Sequence, residues 1–272
     1  MVPLLDEAAR PVLIRRILSS LVLIPLSVVV VLVGGWWFAG AVLVASAVVL
    51  YEWYRLTAAR ALWAATAGLI AVWVAMAYHH SVWLSIYLLV MGAIGSAFLC
   101  LVRGGEGRAA WAGAGLVYVS LPMIALLGLM AGPGGLWVLW LLVVVWATDT
   151  GAFVVGSLIG GAKLAPAISP NKTWAGAAGG LLAAVVASLV MARYVVSLDT
   201  GHAVTLAIAL SVAAQLGDLG QSWIKRRFKA KDTGSLIPGH GGLMDRVDGM
   251  VAATVLFALI AAFYGDFAGG PT

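Results

Sequence analysis

Along the chain, apolar runs of about 20 residues alternate with short polar or glycine-rich breaks. A helix of that length reaches across the hydrocarbon core of a bilayer, about 30 Å thick. With charges, Gly/Pro clusters and polar breaks as boundaries, nine runs are predicted as spans: near 17–34, 36–54, 61–78, 82–102, 109–131, 135–158, 174–194, 203–223 and 248–267. Residues 1–16 carry both charge signs and are expected to form an amphipathic helix on the membrane surface. The run after Arg16 is too long for a signal-peptide core and has no clear small-x-small cleavage site, so it is expected to persist as the first span. The longest break, residues 223–247, leaves no room for a soluble domain. The predicted fold is therefore all-α: one polytopic membrane domain over residues 1–272.

Composition removes the soluble alternative. Charged residues make up 10% of the chain and hydrophobic residues 63%, whereas an ordinary soluble domain carries roughly 25% charge. Too little polar surface would remain to face water. A single cysteine, Cys100, excludes an internal disulfide framework and a multi-cysteine zinc site. The net charge of +5 reports topology and attraction to anionic lipid rather than nucleic acid. With nine spans and the N-terminus cytoplasmic, every Lys and Arg except Arg193 falls on the cytoplasmic side. The opposite breaks, "GGWW", "HHS", "GPGG" and "SLDTGH", contain neither residue. That asymmetry is what the positive-inside rule describes. Trp36, Trp37, Trp53, Trp137 and Trp140 lie near predicted span ends and are expected to be interfacial anchors.

Some residues do not belong in lipid. A carboxylate at the centre of a span costs about 2.5–3.5 kcal/mol on insertion scales, so Asp149 and Asp218 are functional candidates by default. Asp149 interrupts the sixth predicted span, and Asp218 lies in the cytoplasmic part of the eighth. Glu52 is close enough to a span end to be expected at the interface. Gly151, Gly217 and Gly220 beside the aspartates permit close backbone approach or a bend; Gly156, Gly160 and Gly161 are expected to serve helix packing.

The 223–247 break mixes both charge signs. Lys225, Arg226, Lys229 and Lys231 offer donors suited to phosphate. Asp232, Asp245 and Asp248 offer hard oxygen ligands suited to Mg²⁺. The "IPGHGG" stretch lets the backbone bend tightly. If the ninth helix begins here, Asp245 and Asp248 share one face at its N-terminal end, where a phosphate or a metal-bridged phosphate is favoured. Attraction to anionic lipid alone needs no carboxylates; a metal–triphosphate site needs both signs. His240 fits a base, a phosphate donor or a turn residue equally. A second polar island on the same face, "AISPNKTWAG", offers Ser169, Asn171, Lys172 and Thr173 to phosphate or sugar, with Pro170 stiffening the turn. Ser169 or Thr173 could equally cap the seventh helix.

From Ser222 through Ile224, Lys225, Arg226, Lys231, Asp232 and Gly234 to "IPGHGGLMDRVD", the chain resembles the signature of the phosphatidate cytidylyltransferases, or CDP-diacylglycerol synthases. "TDTGAF" at 148–153, "SPNKTWAG" at 169–176 and "RRILSSLVLIPL" near the start are similar to further motifs of that family. Two positions depart from it: Asn171 stands where the family more often has Lys, and Ala175 where it has Glu, so Ala175 is assigned no role.

The resemblance implies a reaction of CTP with phosphatidic acid in the bilayer, giving CDP-diacylglycerol and pyrophosphate, with Mg²⁺ and room for a second cation. It implies a bacterial-type inner (plasma) membrane and a site facing the cytoplasm. It casts Asp218, Asp245 and Asp248, with Asp149 as a fourth, as metal ligands. Lys225, Arg226 and Lys231 become phosphate binders. Asp232 would hold a basic neighbour, and Ser169, Lys172 and Thr173 would contact nucleotide or headgroup. Arg246 would reach phosphate or pair with an aspartate, and His240 keeps its three readings. No nucleic-acid partner is expected, and a homodimer is left open. The nearest rival is a CTP-dependent polyprenol or lipid-alcohol kinase, which needs the same kind of loop. A secondary transporter coupled through Asp149 and Asp218 is a third reading, although no internal repeat is visible. The compact aspartate run of a CDP-alcohol phosphotransferase is absent.

Overall fold

A computed structural model describes residues 10–196, 198–234 and 241–264. Among these, nine α-helices run in order: α1 (Arg10–Val33), α2 (Gly35–Thr57), α3 (Leu62–Ala77), α4 (Val82–Val102), α5 (Ala109–Ala131), α6 (Gly135–Ile159), α7 (Trp174–Met191), α8 (Thr200–Arg227) and α9 (Met244–Tyr264). Seven of them, α2 and α4 to α9, are long and apolar enough to cross a membrane. The apolar stretches of the other two, Leu21–Val33 and Leu62–Ala77, are shorter. The fold is an all-α polytopic membrane bundle. From Arg10 onward the N-terminal segment expected as a separate surface helix is continuous with α1, and residues 1–9 lie outside the described residues.

Helix starts follow local chemistry. Ser81, Thr173 and Asp199 precede α4, α7 and α8, and their side-chain oxygens accept from Leu84 N, Gly176 N and Gly201 N at 3.2, 3.0 and 2.8 Å. Each satisfies one of the backbone donors that a helix N-terminus leaves open.

α6 and α7 form the most extensive helix pair, and small residues let their backbones meet. A Cβ on Gly180 would stand 2.7 Å from the carbonyl oxygen of Thr148. Gly156 packs on Gly176 in the same seam, as its sequence suggested. Gly160 and Gly161 are not packing positions: a Cβ built on either would meet nothing within 4 Å, and their φ values of +65° and +88° turn the chain at the end of α6. That turn leads into a short antiparallel hairpin, β1 (Lys163–Ala165) with β2 (Ser169–Thr173), which the all-α expectation did not include.

The tryptophan expectation divides. Trp36 and Trp37 are 61% and 77% exposed. Trp53, Trp137 and Trp140 are core residues, 2%, 5% and 0% exposed, because each ring finds a packed partner or a bond for its N–H. Trp140 Nε1 donates to Ser188 Oγ at 3.2 Å, and Ser188 donates on to Ala203 O at 2.8 Å, which ties α6, α7 and α8 together. Trp137 and Trp140 pack on Phe257 of α9. On α2, Trp53 Nε1 and Tyr54 Oη each donate, at 2.8 Å, to the carbonyls of Trp111 and Ala112 on α5.

The tight α6–α7 seam predicts that Gly180→Ala destabilises the protein by about 1–3 kcal/mol through overpacking. Gly95→Ala, where nothing lies within 4 Å, should be neutral or stabilising by up to about 1 kcal/mol. Chemical unfolding of both variants in detergent micelles checks the pair.

Candidate functional site

α8 keeps its helical geometry through Arg227, four residues beyond the predicted end of the eighth span. Lys225 and Arg226 therefore project from a helical turn rather than from a loop. α9 begins at Met244, so Asp245 and Asp248 fall in its first turns on one face, as the sequence suggested. α8 and α9 touch closely here, since a Cβ on Gly217 would lie 2.8 Å from Asp248 O. This contact brings the turns that carry Asp218 and Asp248 together, and the two charges act on each other.

The hairpin brings the second polar island to the same place. Lys172 on β2 forms an ion pair with Asp218 Oδ2, and Ser222 Oγ lies 3.4 Å from Asp218 Oδ1. Arg226 Nε donates to Ile168 O at 3.3 Å and Nη1 to Ala230 O at 3.5 Å, which fastens the hairpin turn to the end of α8. Thr173 is buried and caps α7, while Ser169 opens β2 and is half-buried. Asp149 lies on an unbroken α6, and its charge is within reach of Asp218, Lys172 and Arg246.

Lys225 and Asp245 form the better-buried pair. Their side chains are 13% and 8% exposed, with Lys225 Nζ 2.8 Å from Asp245 Oδ1. Asp245 Oδ2 accepts from Thr233 N at 2.9 Å, Thr233 Oγ1 at 3.0 Å and Gly242 N at 3.0 Å. Asp248 Oδ1 accepts from Gly249 N at 2.8 Å. Lys231 and Asp232 are exposed, and neither forms an ion pair with a described residue. Asp232 thus does not hold a described basic neighbour. Arg246 is exposed in the first turn of α9, and its charge acts on Asp149. His240 lies outside the described residues.

Glu52 corrects a further expectation. It is 3% exposed rather than interfacial. Its carboxylate accepts from Leu243 N at 2.9 Å and Met244 N at 2.8 Å, and Thr233 Oγ1 lies 3.2 Å from its Oε2. Thr233 and Glu52 were not singled out as site residues, although a carboxylate between Tyr51 and Trp53 in an apolar run was the signal that could have found Glu52.

Basic residues from other connections gather at this end of the bundle. Arg108, ahead of α5, donates to Thr57 O and lies over the Phe228 ring just after α8. Arg60 donates to Arg103 O at 2.6 Å. The result is a polar, mixed-charge surface closing one end of an apolar bundle.

The chain matches the cytidylyltransferase family over residues 14–264. A phosphatidate cytidylyltransferase of Brucella suis is 41% identical over 226 residues, covering 79% of this chain and 81% of that protein. One from Rickettsia bellii is 32% identical over 257 residues, covering 92% and 90%. One from Staphylococcus haemolyticus is 42% identical over 125 residues, 46% of this chain and 48% of that protein. With matches of this extent across the bundle and the charged end alike, the chain belongs to the cytidylyltransferase family.

Proposed function

We propose that this protein transfers a cytidylyl group from CTP to phosphatidic acid, forming CDP-diacylglycerol and pyrophosphate. The observation that carries the reading is the convergence of Lys172–Asp218 and Lys225–Asp245 at one end of an apolar bundle. Segments far apart in the chain supply these charges, which mere topology signals would not require. The substrate assignment draws on the named relatives from Brucella suis and Rickettsia bellii.

The chemistry suits such a site. A phosphate oxygen of phosphatidate attacks the α-phosphorus of CTP, and the bond from that phosphorus to the β-phosphate oxygen breaks as pyrophosphate leaves. The nucleophile is already an anion, so no strong base is needed. The barrier lies in crowding negative groups and aligning them, which fixed cations lower by positioning and charge stabilisation. Lys231 is exposed, and the Arg226 guanidinium spends two donors on carbonyls and keeps others for phosphate. Lys172 and Lys225 hold the Asp218 and Asp245 carboxylates in fixed directions.

The donor set fits Mg²⁺. Among the described residues no three His, Cys, Asp or Glu side chains form a cage. Mg²⁺ typically takes one or two carboxylates and completes its shell with water and substrate phosphates. Asp218 and Asp248 lie where α8 and α9 meet and act on each other's charge, and Asp248 has lone pairs beyond its described bond to Gly249 N. These two would hold the ion, with Asp149, whose charge is felt by Asp218, as a further candidate. Asp245 Oδ2 already has three donors, so Asp245 serves mainly to shape the loop. When bound, Mg²⁺ supplies charge neutralisation at the phosphates. The gathering of Lys and Arg at the charged end supports a cytoplasmic site and N-terminus by the positive-inside rule, and the bacterial relatives support an inner-membrane bundle.

The test is turnover by purified protein with CTP, Mg²⁺ and either phosphatidate or a neutral lipid alcohol. Pyrophosphate release with phosphatidate is expected; CDP release with the alcohol would identify a lipid kinase instead. Asp218→Asn and Asp248→Asn should each lower turnover by at least about 100-fold, beyond the usual effect of outer-shell changes. Chelation should abolish activity, and added Mg²⁺ should restore it. Separately, Lys225→Met strands a buried carboxylate and should destabilise the fold by about 3–5 kcal/mol. The double variant Lys225→Met/Asp245→Leu should regain much of that loss in the same unfolding assay.

A further inference from the structure

We propose that Glu52 is a positioning residue for cytidylyl transfer: from α2 it sets the conformation of residues 233–234 and 242–244, and through them the placement of Asp245 and Asp248. The inference rests on the reading of the site given above.

The start of α9 lacks an ordinary cap. Gly241, Gly242 and Leu243 offer no side-chain oxygen to the first N–H groups of the helix. Glu52 supplies the oxygens from 191 and 192 positions away in the chain, one to Leu243 N and one to Met244 N. A carboxylate there also meets the positive end of the helix dipole. No described Lys or Arg pairs with it, so α9 and the loop are its counter-charge.

The loop is built around this carboxylate. A Cβ on Gly242 would stand 2.5 Å from Glu52 Oε2 and would also run into Thr233 Oγ1. A Cβ on Gly234 would stand 3.1 Å from Glu52 Oε1. A side chain on Gly242 would push Glu52 and Thr233 aside, and at Gly234 the fit against Glu52 is tight.

The link to the site is Thr233. Its hydroxyl lies 3.2 Å from Glu52 Oε2 and 3.0 Å from Asp245 Oδ2. A hydroxyl has one proton and serves one acceptor at a time. Glu52 and Asp245 therefore compete for the Thr233 proton, so a change at Glu52 shifts that balance on the helix that carries Asp248. Glutamine at position 52 would keep the shape but replace an accepting oxygen with NH₂. One of the two N–H groups of α9 would then face a donor.

The test compares purified wild type with Glu52→Gln, Gly242→Ala and Thr233→Val. It reads melting temperature, CTP binding by equilibrium dialysis, and the Mg²⁺ concentration for half-maximal turnover separately from kcat. Glu52→Gln and Gly242→Ala should each raise the Mg²⁺ requirement or weaken CTP binding by about 10–100-fold, the range for groups that orient metal ligands. Thr233→Val should shift the same quantities in the same direction. Combining Glu52→Gln with Gly242→Ala should add little, because both disturb one contact. The inference is overturned if the folded variants match wild type, or if losses only track the folded fraction. Should Glu52→Gln not fold, Gly242→Ala and Thr233→Val decide by the same readouts. Wild type that turns over CTP with phosphatidate while the variants stay normal rejects the role of Glu52 alone; wild type without that turnover rejects the reading of the site.

Discussion

A carboxylate inside an apolar bundle must find donors, because leaving its charge unpaired away from water costs several kcal/mol or more. Three carboxylates meet that demand differently, and together they assemble the charged end of the molecule. Asp218 draws Lys172 and with it the β1–β2 hairpin onto α8. Asp245 draws Lys225, Thr233 and Gly242 into one contact and so folds the segment after α8 back onto α9. Glu52 takes the open N–H groups of α9 and fixes that helix to α2. None of these bonds lies within a single helix, so the ends of the bundle are joined by charge where its middle is joined by packing.

Such an arrangement suits a reaction between a soluble triphosphate and a lipid anion. The packed seams of α6–α7 and α8–α9 give the charged groups rigid supports, while exposed residues such as Lys231 face outward. Rigid placement matters because phosphoryl-type transfers gain most from alignment and charge neutralisation. The hairpin has a particular part in this. It holds Lys172 on a short extended segment whose far end, Thr173, caps α7, so the lysine is anchored on both sides.

Most of the helices were legible in the sequence, because apolar runs bounded by Gly, Pro and charge carry span information locally. The shared face of Asp245 and Asp248 was legible for the same reason, as it needs only the helical repeat. What was not legible depended on long-range partners. Trp137 and Trp140 read as interfacial by position, yet Phe257 and Ser188 from other helices hold them in the core. Glu52 read as interfacial because its donors lie some 190 residues away. The basic cluster suggested a loop from residue 223, whereas α8 persists through Arg227, with Lys225, Arg226 and Arg227 in its last turn, where cations suit the helix dipole. The family signature marked this stretch as a whole; the geometry adds that Asp245 Oδ2 accepts from Thr233 and Gly242 while Asp248 Oδ1 accepts from Gly249 N.

The triplet Glu52, Trp53 and Tyr54 has a consequence for how the chain could be divided. Three consecutive residues on α2 grip α9, Trp111 and Ala112 at once. The N-terminal helices are thus no passive anchor that a generic hydrophobic segment could replace. A chimera grafting the C-terminal motifs onto a foreign leading half would have to bring its own acid at the level of Glu52 and its own indole for α5, or the transplanted motifs would arrive without the surface that shapes them.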